Sequence, residues 1–339
     1  MQFFPRNAAI VAAVFLALVL SPADAGAAAA RHAKKNPPAA ASGGQKATAA
    51  AGKLRGSYNV KSAIAMDVSR RRIVYEQAAD RVVAPASLTK ILAMYVILDK
   101  VRARKASLDA FVPVSRKAAA TGGSQMGIRF GEKLRLRDLL AGMAVASGND
   151  AAVAAAQHVA GSEEAFVRLM NQKARQIGMQ RSVFKNVHGL PAEGQQTTAR
   201  DMLRLAARYI ADHPEALSMF HSRRYLDYRG YTPNTNPLLG ISGVDGLKTG
   251  YVYASGFNLI TTARRDKIRL VAVLLGAPDK AARVHEGSRL VESGFRTADA
   301  MAARDTAQKT KDAARKGIRG RTEPVRRVAA GQFSGNGSL

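Results

Sequence analysis

Three short patterns in this chain carry groups able to donate, accept and relay a proton. S-x-x-K occurs at Ser87-Leu88-Thr89-Lys90 and again at Ser182-Val183-Phe184-Lys185. S-x-N occurs at Ser147-Gly148-Asn149, and also at Ser57-Tyr58-Asn59 and Ser334-Gly335-Asn336. K-T-G occurs once, at Lys248-Thr249-Gly250. A serine and a lysine three residues apart share one face of a helix, so hydroxyl and amine can meet. The amine acts as a base only when neutral, and burial favours that state by disfavouring the charge. Such a pair does nucleophilic chemistry, with the serine oxygen attacking and the lysine taking its proton.

Context has to separate the hits. Ile91 to Leu98 is almost entirely apolar and follows Pro85 and Thr89, which predicts a helix buried on all sides. Ser87 then falls at the first turn, where free N–H groups face an incoming anion, and the buried run desolvates Lys90. No buried helix follows Ser182–Lys185, so that pair reads as structural. A helical pattern from Leu136 to Ala146 ends at Ser147-Gly148, and Asp150 caps the next helix. A small-residue turn there exposes Ser147 and Asn149 side by side, although Ser-Gly-Asn-Asp is also simply what turns use. Gly246 to Tyr251 reads as an extended piece whose glycines allow close backbone approach; Lys248 taken alone is equally an ordinary surface lysine.

The surrounding elements form an α+β pattern. Ser62 to Asp67 and Ile73 to Glu76 flank a basic turn and predict a hairpin; Gly256 to Ala263 and Ile268 to Leu275 predict a second. Residues 134–210 are mainly helical in pattern, with Thr198-Ala199-Arg200-Asp201 as a capping box. Strands at both ends with helices between them imply one antiparallel sheet packed by helices. Outside this core, residues 1–25 read as an export signal: Arg6, an apolar run from Ala8 to Leu20, and Ala23-Asp24-Ala25 as a cleavage site. Residues 26–55 read as a flexible basic lead and 299–339 as a basic disordered tail, leaving 56–298 as the catalytic domain.

Composition removes whole classes of chemistry. The 339 residues include no cysteine, which excludes thiol catalysis, disulfides and Cys-ligated metals. The six histidines form no H-E-x-x-H pair, and no metal or cofactor is expected. Lys and Arg number 52 against 25 Asp and Glu, a net +27 that attracts polyanions: nucleic acid, anionic lipid or acidic wall polymer. The export signal and a 6% aromatic content without tryptophan argue against nucleic acid.

In order, roughly 60 and 100 residues apart, the three patterns resemble the set of the low-molecular-mass D-alanyl-D-alanine carboxypeptidases, serine peptidases of the penicillin-binding group. The resemblance covers about residues 58–298 and includes Pro85 to Lys90, Ser147 to Asp150, Phe184 to Leu190, Thr198 to Asp201, Asn234 to Asn236 and Asp245 to Gly250. It implies a β-lactamase/transpeptidase-like fold with an additional helical subdomain, and a periplasmic or extracytoplasmic enzyme that removes the terminal D-alanine of peptidoglycan stem peptides. By this resemblance Ser87 is the nucleophile, Lys90 its base and Ser147 the proton relay to the leaving amine. Asn149 holds the substrate amide, and Lys248 and Thr249 of the K-T-G strand with Gly250 bind the terminal carboxylate. Lys248 also keeps Lys90 neutral, and the backbone N–H groups of Ser87 and Tyr251 form the oxyanion hole. It further implies β-lactams as covalent inhibitors, with anionic wall polymers or a lipid surface as further partners.

Departures are informative. Well-known members carry histidine after K-T-G, where this chain has Tyr251. Only about 40 residues follow Phe295, so a one-domain enzyme is expected. Glu163 and Glu164 lie in no E-x-x-L-N pattern and read as first-turn acids after the Ser162 cap. His188 reads as a loop-shaping residue, Asp201 as a helix-start residue, and Asn186, Asn234 and Asn236 as turn formers. Two other readings compete: an endopeptidase cutting D-alanyl cross-links with the same residues, and a non-catalytic wall-binding protein on the same fold.

Overall fold

The computed structural model of the chain describes residues 56–319, with side chains to 314. The export signal and basic lead expected over 1–55, and the tail beyond 319, lie outside the described residues. The chain opens with β1 (Ser62–Asp67) and β2 (Arg72–Gln77), then a single 3-10 turn (Ala86–Leu88) leading into α1 (Thr89–Arg102). A mainly helical stretch follows: β3 (Phe111–Pro113), α2 (Arg116–Ala119), β4 (Lys133–Arg135), α3 (Leu136–Val145), α4 (Asn149–Ala160), α5 (Glu163–Gln176) and α6 (Ala199–Asp212). After a π-helical turn (Leu217–His221) come β5 (Tyr225–Asp227), β6 (Tyr231–Pro233), β7 (Val244–Val252), β8 (Gly256–Arg265), β9 (Ile268–Ala277) and α7 (Lys280–Arg319).

Both predicted hairpins form and join in one antiparallel sheet, ordered β2-β1-β9-β8-β7. Side chains alternate across a strand, and here both faces are covered, so β9 carries no polar side chain after Arg269 near its start. Leu270, Ala272 and Leu274 face α7 together with Ala63, Ala65, Leu259 and Phe295. Val271, Val273 and Leu275 join the other core with Ile64, Ile260 and the buried residues of α1 and α6. Every residue of α1 from Thr89 to Leu98 is buried. Burial on all sides, rather than an amphipathic stripe, is what a uniformly apolar helix requires.

The tail departs from expectation. Ala298 and Met301 still pack on the sheet, and α7 continues to Arg319 where an irregular segment was expected from 299. Residues 299–316 contain no glycine or proline and are dominated by Ala, Arg, Lys and Asp, so nothing local stops a helix already nucleated on the sheet. Among the described residues, no helix is long and apolar enough to cross a membrane.

Candidate active site

The site lies where β7, the edge strand beside β8, meets the start of α1. Register places Lys248 opposite Ile260 and Ile260 opposite Val273, so Lys248 points to the α1 side of the sheet. Close approach of β7 depends on Gly250, where a Cβ would stand 3.1 Å from both Ser87 N and Ala86 Cβ. From the opposite side Gly189, at φ +91°, leaves room for the Ala86 carbonyl, which a Cβ would meet at 1.8 Å. Ala86 itself sits at φ +50°, a left-handed conformation rare for a residue with a side chain. Ser87 is thus presented on a strained turn clamped by two glycines from distant parts of the chain.

Lys90 is fully buried one helical turn on. Its amine donates to Asn149 Oδ1 at 2.6 Å and to the His188 carbonyl at 2.9 Å, and lies 3.0 Å from Ser87 Oγ. Asn149 is oriented by its other end, where Nδ2 donates to the Gly122 carbonyl at 2.6 Å. Burial first, and then the charge of Lys248, hold the Lys90 pKa well below the ordinary lysine value, against an upward pull from Asp150. A neutral amine has two N–H donors and one lone pair. In that state both donors would meet carbonyl oxygens that can only accept, and the lone pair would be left for the Ser87 hydroxyl. The arrangement suits a base beside a nucleophile.

Ser147 stands between α3 and α4 at φ +60°, nearly buried, and its hydroxyl has no hydrogen-bond partner among the described residues. The turn is held by Asp150, which accepts from the backbone N–H groups of Met126 and Gly127, both at 2.8 Å, and of Ile128 at 3.2 Å. Across the cleft, buried Lys248 donates to the Thr249 carbonyl at 3.1 Å and lies 3.5 Å from Thr235 Oγ1. Burial, with Arg283 adding repulsion, pushes its pKa down to about 7. Tyr251 is half exposed, and its ring lies 4.3 Å from that of Phe257.

The structure therefore gathers Ser87, Lys90, Asn149, Lys248, Thr249, Gly250 and Tyr251 around one cleft, with Ser147 on the turn beside Asn149. Asn149, expected to meet substrate, also accepts from Lys90 and donates one amide hydrogen to the Gly122 carbonyl. Arg283 was missed: it lies near the start of α7, its buried Nε has no partner among the described residues, and burial lowers its pKa. One arginine in a basic helix carries no sequence signal. Thr235 was also missed, although its neighbours behave as expected. Asn234 Nδ2 donates to the Arg223 carbonyl at 2.8 Å, and Asn236 Nδ2 to the Gly246 carbonyl at 3.3 Å.

His188 shapes its loop. Its carbonyl holds Lys90, its ring Nδ1 accepts from Leu190 N at 3.1 Å, and burial ahead of repulsion from Lys90 lowers its pKa to about 4. Glu163 lies in the first turn of α5 after the Ser162 cap, as expected, but it also reaches Lys117 at 2.8 Å and accepts from Val187 N at 3.4 Å. Asp201 takes the Thr198-capped position and in addition accepts from Arg181 N and Ser182 Oγ.

A desolvated lysine amine against a serine hydroxyl, with the second buried lysine Lys248 nearby, is an arrangement fit for acyl transfer. The chain belongs to the peptidase S11 family, D-alanyl-D-alanine carboxypeptidase, whose pattern matches residues 46–279. It is 38% identical over 248 residues to the D-alanyl-D-alanine carboxypeptidase DacC of Escherichia coli K12, covering 71% of this chain and 62% of that one. The chain thus spans less than two thirds of that relative. Its fold matches penicillin binding protein 5 of Haemophilus influenzae with a TM-score of 0.70 and 31% identity, over 72% of this chain and 73% of that one. It matches ampicillin-bound penicillin-binding protein D2 of Listeria monocytogenes with a TM-score of 0.66 and 29% identity, over 72% of this chain and all of that one.

Proposed function

We propose that this protein is a serine-type D-Ala-D-Ala carboxypeptidase acting outside the cytoplasm on peptidoglycan stem peptides. The observation that carries this reading is the buried Lys90 amine, 3.0 Å from Ser87 Oγ and held by two carbonyl oxygens. Ser87 Oγ attacks the carbonyl between the two D-alanines while its proton passes to Lys90 Nζ. The oxyanion is held by the backbone N–H groups of Ser87 and Tyr251. The tetrahedral intermediate collapses, the C–N bond breaks, and the leaving amine takes a proton relayed through Ser147. Water then attacks the acyl-Ser87 ester, Lys90 again taking the proton; the C–Oγ bond breaks, Lys90 returns the proton to Ser87 Oγ, and the shortened peptide leaves.

The terminal carboxylate of the substrate is bound by Lys248, Thr249 and Arg283. Lys248 and Arg283 stand close enough for their charges to repel, and a carboxylate set between them would relieve that repulsion. The Lys248 charge serves twice, attracting the carboxylate and keeping Lys90 deprotonated. β-Lactams enter the same cleft and acylate Ser87, in keeping with the ampicillin-bound relative.

The test is the intact mass of the protein after brief exposure to benzylpenicillin, with Ser87→Ala alongside. D-alanine release from a monomeric stem peptide and cleavage of a cross-linked dimer are measured in parallel. One adduct on the wild type, none on the variant, and release from the monomer are expected. Cleavage of the dimer alone would make it an endopeptidase; no adduct and no turnover would leave a wall-binding scaffold.

A further inference from the structure

β7 ends the sheet, so its outer edge pairs with no strand among the described residues. Successive side chains alternate across it. Lys248 and Gly250 face α1 and the Ser87 turn, whereas Thr249 and Tyr251 face the other side, in register with Leu259 and Phe257 of β8. Leu259 belongs to the core under α7, and Phe257 packs against that core. The Tyr251 ring rests on Phe257, with ring centres 4.3 Å apart. From α7 the Arg283 guanidinium stands 5.8 Å from the centre of the same Phe257 ring. Thr249, Tyr251 and Arg283 thus share one side of the sheet, with Phe257 between the tyrosine and the arginine. Within this group Thr249 is buried, Phe257 and Arg283 are half-buried, and Tyr251 projects, 52% exposed. A single exposed tyrosine needs no explanation by itself. This one stands next to the residue that packs on Ser87, and its position along the strand gives it a role.

On the reading proposed above, the leaving residue is anchored at both ends on this stretch of β7. The scissile carbonyl oxygen meets the Tyr251 N–H, and the carboxylate one residue further on meets Lys248, Thr249 and Arg283. One residue of peptide spans about 3.5 Å, and Thr249 and Tyr251 stand about 6.6 Å apart along the strand. The leaving residue is therefore laid against the interval between these two side chains, and moving it away loses one anchor or the other. Towards the β7–β8 turn that interval is bounded by the Tyr251 ring. The ring has little freedom to yield, because Phe257 backs it and is itself held between the core and Arg283.

We propose that Tyr251 limits the size of the leaving residue: its ring, backed by Phe257, walls the carboxylate pocket so that a methyl side chain fits and a long one does not. The inference rests on the carboxypeptidase reading and deepens it. It names what decides between a terminal D-alanine and a cross-link, whose leaving group continues into a second peptide. The backbone N–H that takes the oxyanion is the same whatever side chain stands at 251, so the ring acts on selection and not on the reaction itself. Selection of this kind works by exclusion, and the wall costs the large leaving residue more than it gives the small one.

The test measures kcat/KM of the full chain for two peptides that differ only in the leaving residue, diacetyl-L-lysyl-D-alanyl-D-alanine and diacetyl-L-lysyl-D-alanyl-D-norleucine. Norleucine is long, unbranched and uncharged, so the cations of the pocket do not bias the comparison. The variants are Tyr251→Ala, Tyr251→Phe and Phe257→Leu. The wild type should favour D-alanine by at least about tenfold, and Tyr251→Ala should reduce that preference about tenfold. Phe257→Leu should reduce it part of the way, and Tyr251→Phe should keep it. Misfolding or a displaced oxyanion donor slows both peptides alike, so the ratio reads the wall alone. An unchanged ratio in Tyr251→Ala, or no preference in the wild type, overturns the wall while cleavage itself upholds the carboxypeptidase reading. Loss of the preference in Tyr251→Phe overturns it in favour of the phenolic hydroxyl. If the wild type cleaves neither peptide and takes up no benzylpenicillin, the carboxypeptidase reading falls. The affinities of Ser87→Ala and Ser87→Ala/Tyr251→Ala for the two peptides, by calorimetry, then decide the wall: a preference lost with the ring upholds it, and equal ratios overturn it.

Discussion

Two Ser-x-x-Lys pairs occur in this chain, and only one brings its hydroxyl and amine together in a buried setting. At Ser87–Lys90 the amine is fully buried, meets the hydroxyl at 3.0 Å and has its other hydrogens taken by carbonyls. At Ser182–Lys185 the lysine is exposed, and the serine hydroxyl is spent on Asp201 and Thr197, each at 2.8 Å. The spacing is identical. Reactivity therefore resides in what surrounds the pair: a buried helix that removes water from the amine, a second cation that lowers its proton affinity, and backbone that presents the serine. A four-residue pattern describes reach, whereas the fold supplies the pKa.

The sharpest break of this comparison is removal of each serine in turn. Ser87→Ala should lower penicillin acylation by at least about 10⁴-fold, read by mass spectrometry. The next largest effect is expected without touching either reactive group. Gly189→Ala places a Cβ 1.8 Å from the Ala86 carbonyl at a φ of +91°, so the Ser87 turn must move. A shift of about 1 Å at the nucleophile should lower the acylation rate on the order of 100-fold. If acylation in Gly189→Ala stays at the wild-type rate, the clamp on the turn has been misread.

A subtler change separates the electrostatic part. Lys248 repels a proton from Lys90, so Lys248→Gln should raise the Lys90 pKa. Raising the pKa of a base lowers its neutral fraction at a given pH. The acidic limb of the acylation profile should therefore move to higher pH, besides any loss in affinity. A profile that falls uniformly without moving would mean that Lys248 acts only on the ligand.

How much of this was legible in the sequence follows the range of the physics involved. Both hairpins, the all-buried α1 and the Thr198 cap are local patterns, and they were readable from apolar periodicity and turn chemistry. The candidate site residues were readable as a cluster because three weak patterns fell in order on suitable elements. Arg283, Thr235 and the role of Gly189 were not readable, since each acts through a contact made only when distant segments meet. The backbone of Ala86, left-handed though not glycine, is imposed by those same contacts. The extension of α7 past residue 298 was missed for a different reason: a basic, alanine-rich segment resembles a disordered tail until it continues a helix already packed on the sheet.

The smallest effect sharpens the comparison most. Ser182→Ala should leave acylation within about twofold of wild type while lowering stability by roughly 1 kcal/mol, read by chemical denaturation. The Ser182 hydroxyl is one of several donors to the buried Asp201 carboxylate, which also accepts from Arg181 N at 2.9 Å and from Arg204 at 3.0 Å. Losing one donor leaves that charge partly served, which is why the cost is that of one hydrogen bond rather than of an unpaired buried ion. Restoring a hydroxyl with Ser182→Thr should return much of the stability and still leave acylation unchanged. If instead Ser182→Ala slows acylation tenfold at unchanged stability, the second pair communicates with the cleft, and the division between a reactive and a structural Ser-x-x-Lys has to be abandoned.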